Sequence, residues 1–237
     1  VGPGRSHSPV KVEAGPLIPG TIMEGPPRLI SLGEPGGSDN ASAVASTALD
    51  MGVPSIIVTS THGEAFETFD HGAVDWKKLM ETAHWMVNCS SLVNLGKSPA
   101  MAWSASMTFA ELEGCRNVMV VDMPGDQETI SKTWGLVVGK MRQIHVLFFT
   151  SEAMKAVSSL ENMEEDDFLS QVREKTMVPI VCGIISGGSA VSVSHAMGSF
   201  EVDITEHGTG IVWLAGFLKS LPYSGTGISG IRNASSW

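Results

Sequence analysis

The sequence predicts an α/β protein whose central sheet is mainly parallel and covered by helices on both faces. Three observations carry this. Short apolar or β-branched runs alternate with segments of helical period from Arg28 to Leu221, the pattern of successive strand–helix units. Runs such as residues 117–121 are apolar at nearly every position, as strands buried on both faces are. The chain has 237 residues, of which 43% are hydrophobic, enough for one sizeable core but cramped for two domains.

The elements follow in order. Residues 1–28 are dense in Gly and Pro, which breaks both helix and strand periodicity, so they read as an extended arm. Leu29, Ile30 and Leu32 form a short strand. Gly33-Glu34-Pro35-Gly36-Gly37 then turns the chain into a helix that Ser38, Asp39 or Asn40 can cap. Ala41, Val44, Ala45, Ala48 and Leu49 recur at helical spacing, and Gly52 closes the helix. The β-branched run 53–60 predicts a buried strand. Further on, the pattern gives helices over 75–83, 99–112, 127–142, 151–160, 164–175 and 210–221. The intervening strands are 85–89, 117–122, 144–150, 178–182 and a shorter one at 190–193. The acidic residues Glu161 to Asp167 suit the start of a solvated helix, where carboxylates complement the helix dipole. Residues 29–223 are thus one folded domain and 224–237 a Gly/Ser-rich tail. In such a tail Trp237 has no local core to enter and reads as an anchor for a partner.

Composition excludes several function classes. Fifteen Lys and Arg against 25 Asp and Glu give a formal net charge of −10, and no Lys/Arg-rich run occurs. Direct binding to nucleic acid is therefore disfavoured, since phosphate contact needs clustered positive charge. An anionic membrane surface is disfavoured for the same reason. The apolar stretches 177–185 and 211–218 are too short to cross a bilayer, although docking on a membrane complex stays open. Cys89, Cys115 and Cys182 are odd in number and lack CxxC spacing, so they read as reduced core thiols, and no metal site is expected.

Three motifs, in order, go further. Gly36-Gly37-Ser38-Asp39-Asn40-Ala41 with Ala45, Ala48 and Gly52 opens the first helix. Asp75-Trp76 and Ala83-x-Trp85 precede a strand. Thr205-Glu206-His207-Gly208-Thr209-Gly210-Ile211 runs into Ala215-Gly216-Phe217. Together they resemble the ribokinase-like (PfkB) carbohydrate kinases, nearest to the 2-keto-3-deoxygluconate kinase and fructokinase-like branch. The resemblance implies a three-layer α/β/α fold. It also implies a sugar site at Gly36, Gly37, Asp39 and Asn40, and an anion hole built from the backbone of Gly208, Thr209 and Gly210.

The same resemblance implies that the chemistry fails. Phosphoryl transfer to a hydroxyl needs a base and fixed donors for the growing negative charge. In this family the residue after the anion-hole glycines is an Asp that acts as base; here it is Ile211, whose alkyl side chain cannot accept a proton. Loss of a general base costs typically ~10²–10⁴-fold in rate. The family's Asn-x-x-Glu pair is incomplete in either register of Thr150-Ser151-Glu152-Ala153, and its Asp-x-Asn-x-Arg segment keeps only Asp122. The connections 34–36 and 61–75 are too short for the family's lid strands, so those strands are largely missing. Asp203, Glu206, His207 and Glu152 are the groups that could compensate.

The expected function is therefore that of a catalytically inactive sugar-kinase-like protein, a structural subunit of a larger complex that needs no cofactor. Plant fructokinase-like proteins, which serve in plastid transcription complexes, set the precedent and imply an organelle, plastid or mitochondrion. The alternatives are an active kinase using ATP and Mg²⁺ with a displaced base, and a sensor that binds nucleotide or sugar without reaction.

Overall fold

In a computed structural model, which describes residues 26–34, 36–60, 64–122, 125–225 and 227–237, the apolar runs form one eight-stranded sheet. Residues 1–25, hence nearly all of the expected arm, lie outside the described residues. The strands are β1 (Leu29–Leu32), β2 (Ser55–Val58), β3 (Trp85–Cys89), β4 (Arg116–Val121), β5 (Ile144–Phe149), β6 (Ile180–Ile185), β7 (Ala190–His195) and β8 (Gly198–Asp203). Their spatial order is β2-β1-β3-β4-β5-β6-β7-β8. The first six are mutually parallel, and β7 and β8 add antiparallel. The central strands are buried along nearly their whole length, β3 at every residue.

The helices are α1 (Asn40–Asp50), α2 (Trp76–Met80), α3 (Lys97–Leu112), α4 (Gln127–Val138), α5 (Ser151–Glu161), α6 (Glu165–Thr176), α7 (Gly210–Ser224) and α8 (Ile228–Ser235). The helices α1, α7 and α8 pack together, as do α2 with α3 and α4 through α6 in sequence. The result is three layers, α/β/α, as expected. Polar side chains start the helices: Asp39 accepts from Ser42 N at 2.9 Å, Asp75 from Lys78 N at 3.1 Å, and Asp126 from Thr129 N at 2.9 Å. Between β2 and β3 the described residues hold α2 and two 3-10 turns, Phe66–Thr68 and His71–Ala73, and no strand.

Five tryptophans, Trp76, Trp85, Trp103, Trp134 and Trp213, are buried in the core. The Trp85 indole N–H donates to Leu218 O at 2.9 Å, tying β3 to α7. The three cysteines are free and buried, and burial pushes the Cys115 thiol up to about 12.

Three expectations need correction. The run over 53–60 is not a buried strand: among the described residues β2 is a sheet edge, with Ile56 52% exposed and Ser55 and Ile57 only partly covered. The run 190–193 extends into a hairpin whose second strand, β8, was not foreseen. Residues 224–237 are not a free tail but contain α8, with Gly230, Ile231, Ala234 and Ser235 buried. A Cβ at Gly230 would collide with the Ser224 and Gly225 carbonyl oxygens, so glycine allows α8 to fold back tightly on α7.

At the N-terminal ends of the strands, His84 and His145 share one electrostatic environment. Burial first, then the Arg116 and Arg28 cations, hold the His84 imidazole below its usual range. Burial and Arg116 do the same to His145, opposed by a main-chain bond at Gln143 and by Glu111. The unfolded chain then takes up protons first, so stability declines as pH falls through and below about 6.5 and recovers above it. Thermal melts between pH 5 and 8 are expected to show this slope, and a His84→Gln, His145→Gln double variant to flatten it.

Candidate functional site

In a parallel sheet every strand ends on the same side, and a crevice opens where successive connections leave in opposite directions. Here β1 leads to β2 on one flank and the chain then crosses to β3 on the other. The start of α1 and the residues after β3 and β4 therefore meet at the crevice.

What meets there is a polar cluster centred on Asp122. Its carboxylate accepts from Asn40 Nδ2 at 3.0 Å, Ser90 Oγ at 3.0 Å, Ser91 N at 2.9 Å and Ser91 Oγ at 3.0 Å. Asp122 N in turn donates to Ser90 Oγ at 3.0 Å. Asp39 lies beside it, but both of its oxygens are engaged at the head of α1. Ser42 N and Oγ donate to it at 2.9 and 2.8 Å, and Glu34 N at 2.8 Å. The Cys89 thiol approaches Asp39 Oδ1 at 3.7 Å. Burial, then the Asp122 and Asp39 charges, push that thiol well up, so it stays protonated. Gly36 and Gly37 both take positive φ, at 93° and 69°, and form the turn that delivers Asp39 and Asn40.

A carboxylate, an amide and two hydroxyls are the groups that hold a polyol, yet here they hold one another. A sugar hydroxyl entering would have to displace Asn40 or a serine from Asp122. Hydrogen bonds to a charged group contribute about 1.5–3 kcal/mol each, a sizeable opposing term. Ser90 and Ser91 were not singled out from the sequence; their one signal is that they directly follow a strand at the ligand end of the sheet.

The glycine-rich turn before α7 lies at the same end of the sheet. Thr209 caps α7, accepting from Val212 N at 3.3 Å. Gly208 N–H donates to Ile204 O at 3.2 Å, and His207 N–H to the same oxygen at 2.9 Å. Of the expected anion-hole donors, Gly208 is thus already used. A Cβ on Gly210 would collide with the Ile184 side chain and lie 3.2 Å from the Phe148 ring, so the head of α7 rests on hydrocarbon. Ile211 is half-buried and packed against the core.

Of the four possible substitutes for the base, Asp203, Glu206 and His207 line one cavity beside β8, and Glu152 lies apart at the head of α5. Asp203 is exposed and accepts from Thr205 N at 2.8 Å and Oγ1 at 2.6 Å, bonds that hold its carboxyl below the usual range. Glu206 is exposed on the same turn, and Glu152 is exposed in the first turn of α5, a helix capped by Thr150. The His207 ring is stacked on Trp237, with centroids 4.5 Å apart.

Trp237 is accordingly no free anchor. Its ring also lies against Gly216, where any Cβ would collide with the indole, and its Nε1–H donates to Trp213 O at 3.2 Å. Trp213 Nε1–H donates back to Ser235 O at 2.9 Å. Its ring stacks on Phe217 at 5.0 Å and on Phe148 at 6.1 Å. An aromatic column thus links α8 to the floor beneath Gly210.

No protein-family model and no curated protein sequence matches the chain. Solved structures do. A 2-dehydro-3-deoxygluconokinase from Thermotoga maritima aligns with TM-score 0.62 at 13% identity, covering 89% of this chain and 100% of its own. A PfkB protein from Polaromonas sp. JS666 aligns with TM-score 0.67 at 9% identity, covering 90% and 94%. The aminoimidazole riboside kinase from Salmonella enterica gives TM-score 0.63 at 10% identity, covering 88% and 90%. At such identities the likeness establishes architecture, and the architecture of this chain is the ribokinase-like fold of the PfkB carbohydrate kinases.

Proposed function

We propose that this chain is a ribokinase-fold protein that no longer transfers phosphoryl groups and acts as a structural subunit of a larger assembly. One observation carries the reading. The residue after the glycine turn, where the resemblance calls for a base, is Ile211, a half-buried alkyl side chain packed against the core. Supporting it, the Gly208 amide is committed to Ile204 O, Asn40 is committed to Asp122, and Asp203 and His207 are held by Thr205 and Trp237.

The subunit reading expects the chain to hold neither ATP nor Mg²⁺. The head of α7, which would face a transferring phosphoryl group, rests on the Ile184 side chain.

The subunit reading differs from the nucleotide-sensor reading in one cheap measurement. A ligand that binds only the native state raises stability by about 2.7 kcal/mol at a hundred times its Kd, roughly 5–10 °C in Tm for a domain of this size. Millimolar ATP with Mg²⁺, and separately millimolar acid sugars, are expected to leave the melting temperature unchanged. A rise of several degrees with ATP would replace the subunit reading by the sensor.

A further inference from the structure

Two strands end the sheet, and they differ in what surrounds them. Near the β2 edge Ile56 and Leu49 are exposed apolar side chains, and nothing there selects an occupant. The β8 edge is another matter. Gly198, Ser199, Glu201 and Asp203 are exposed along it, and among the described residues no strand pairs with its outer side. A cavity of about 600 Å³ opens beside β8, bounded on the far side by α8 and the turn before α7. A second, of about 300 Å³, opens between β8 and the start of α6. Glu201 lines both.

The charges along this edge are mostly of one sign. Glu201, Asp203 and Glu206 face the larger cavity, and Glu165 and Asp166 face the smaller one beyond Glu201. Opposing them are Arg232 and Lys155. The Arg232 guanidinium lies over the Phe200 ring, 5.1 Å from its centroid, so part of its field is directed at the aromatic face. His207, which also lines the cavity, is stacked on Trp237. The whole chain carries a formal charge of −10, so the edge is an acidic strip on an acidic protein.

We infer that the outer edge of β8 docks an extended, basic segment of a partner protein, which adds to the sheet as a further strand and places Lys or Arg side chains among these carboxylates. The inference rests on the subunit reading above and gives its partner a chemistry. Open edge strands accept extended peptides through main-chain hydrogen bonds, and flanking pockets select alternate side chains. Charged residues on an edge also guard against self-pairing. That guard works here against a second copy, because antiparallel β8–β8 pairing would bring the Glu201 and Asp203 carboxylates of two chains together. It does not act against a basic strand, for which the same carboxylates supply attraction and faster encounter.

The test uses the full chain and two fluorescein-labelled peptides, one alternating Lys and Val and one alternating Glu and Val, with anisotropy as readout. The basic peptide is expected to bind and the acidic one not. A Glu201→Gln, Glu206→Gln double variant, both sites exposed and outside the crevice at Asp122, is expected to weaken binding at least tenfold. Hydrogen exchange with the basic peptide bound is expected to slow at the amides of 198–203. Absence of binding, equal binding by the double variant, or protection confined to other segments would overturn the inference. Each of those results would leave the loss of phosphoryl transfer standing, because that is read by a separate assay.

Discussion

Replacing Trp213 by alanine is expected to destabilise the protein by about 3–5 kcal/mol, the range for removing a large aromatic side chain from a core. Trp213 is fully buried, stacks on Phe217 and Phe148, and donates its indole N–H to Ser235 O. Removing it opens a cavity under α7 and leaves the Ser235 carbonyl without its donor, a deficit that itself costs about 1–3 kcal/mol when buried. Trp237, which donates to Trp213 O and lies on Gly216, loses part of its seat. The melting temperature is expected to fall by roughly 10 °C or more, with faster hydrogen exchange over 204–210 and 228–237. Trp213→Phe, which keeps a ring but no donor, should recover much of the loss. A Trp213→Ala protein melting within a degree or two of the parent would show that α8 does not bear on the α7 core.

The second large effect is expected at Asp122. Asp122→Ala removes the acceptor shared by Asn40, Ser90 and Ser91. Ser90 is buried, and its hydroxyl then has no carboxylate to meet. The half-exposed position of Asp122 lets water replace some of these bonds, so the net cost is about 2–4 kcal/mol rather than the sum of four charged hydrogen bonds. Asp122→Asn should cost less than Ala but more than nothing, because one carboxamide edge would present a donor to donors. Denaturant melts of both variants beside Ser91→Ala, which removes one side-chain bond while leaving Ser91 N in place, would rank them. A neutral Asp122→Ala would mean that the cluster is held by the strands alone, and that Asn40 is free to meet a ligand.

These two sites also show what the sequence could and could not reveal. The periodic elements were legible: β3 falls on the expected residues 85–89, and Asp39 and Asp75 cap the helices that the spacing placed after them. Position within the sheet was not legible. The run at 53–60 has the β-branched composition of a central strand, but only the topology puts it at an edge. Helix α8 was hidden because Ser229, Gly230 and Ser235 within it, and Gly227 and Ser236 flanking it, read as linker, whereas its buried contacts come from Ile231 and Ala234 and from the close approach at Gly230.

At the candidate site the motif positions could be named, but not their partners. That Gly36, Gly37, Asp39 and Asn40 cluster after β1 follows from adjacency in the chain. That Asn40 meets Asp122 across 82 residues, or that Ile184 lies under Gly210, depends on which strands are neighbours. The same holds for Trp237, whose seat on Gly216 and His207 brings together residues that no local pattern connects.

The loss of chemistry is tested most directly by incubating the purified chain with ATP, Mg²⁺ and a panel of neutral and acid sugars, with mass spectrometry to detect phosphorylated product. No sugar phosphate above the protein-free blank is expected from any member of the panel. Steady formation of one, abolished by substitution of Gly208 or Gly210 in a protein that remains folded, would contradict the account.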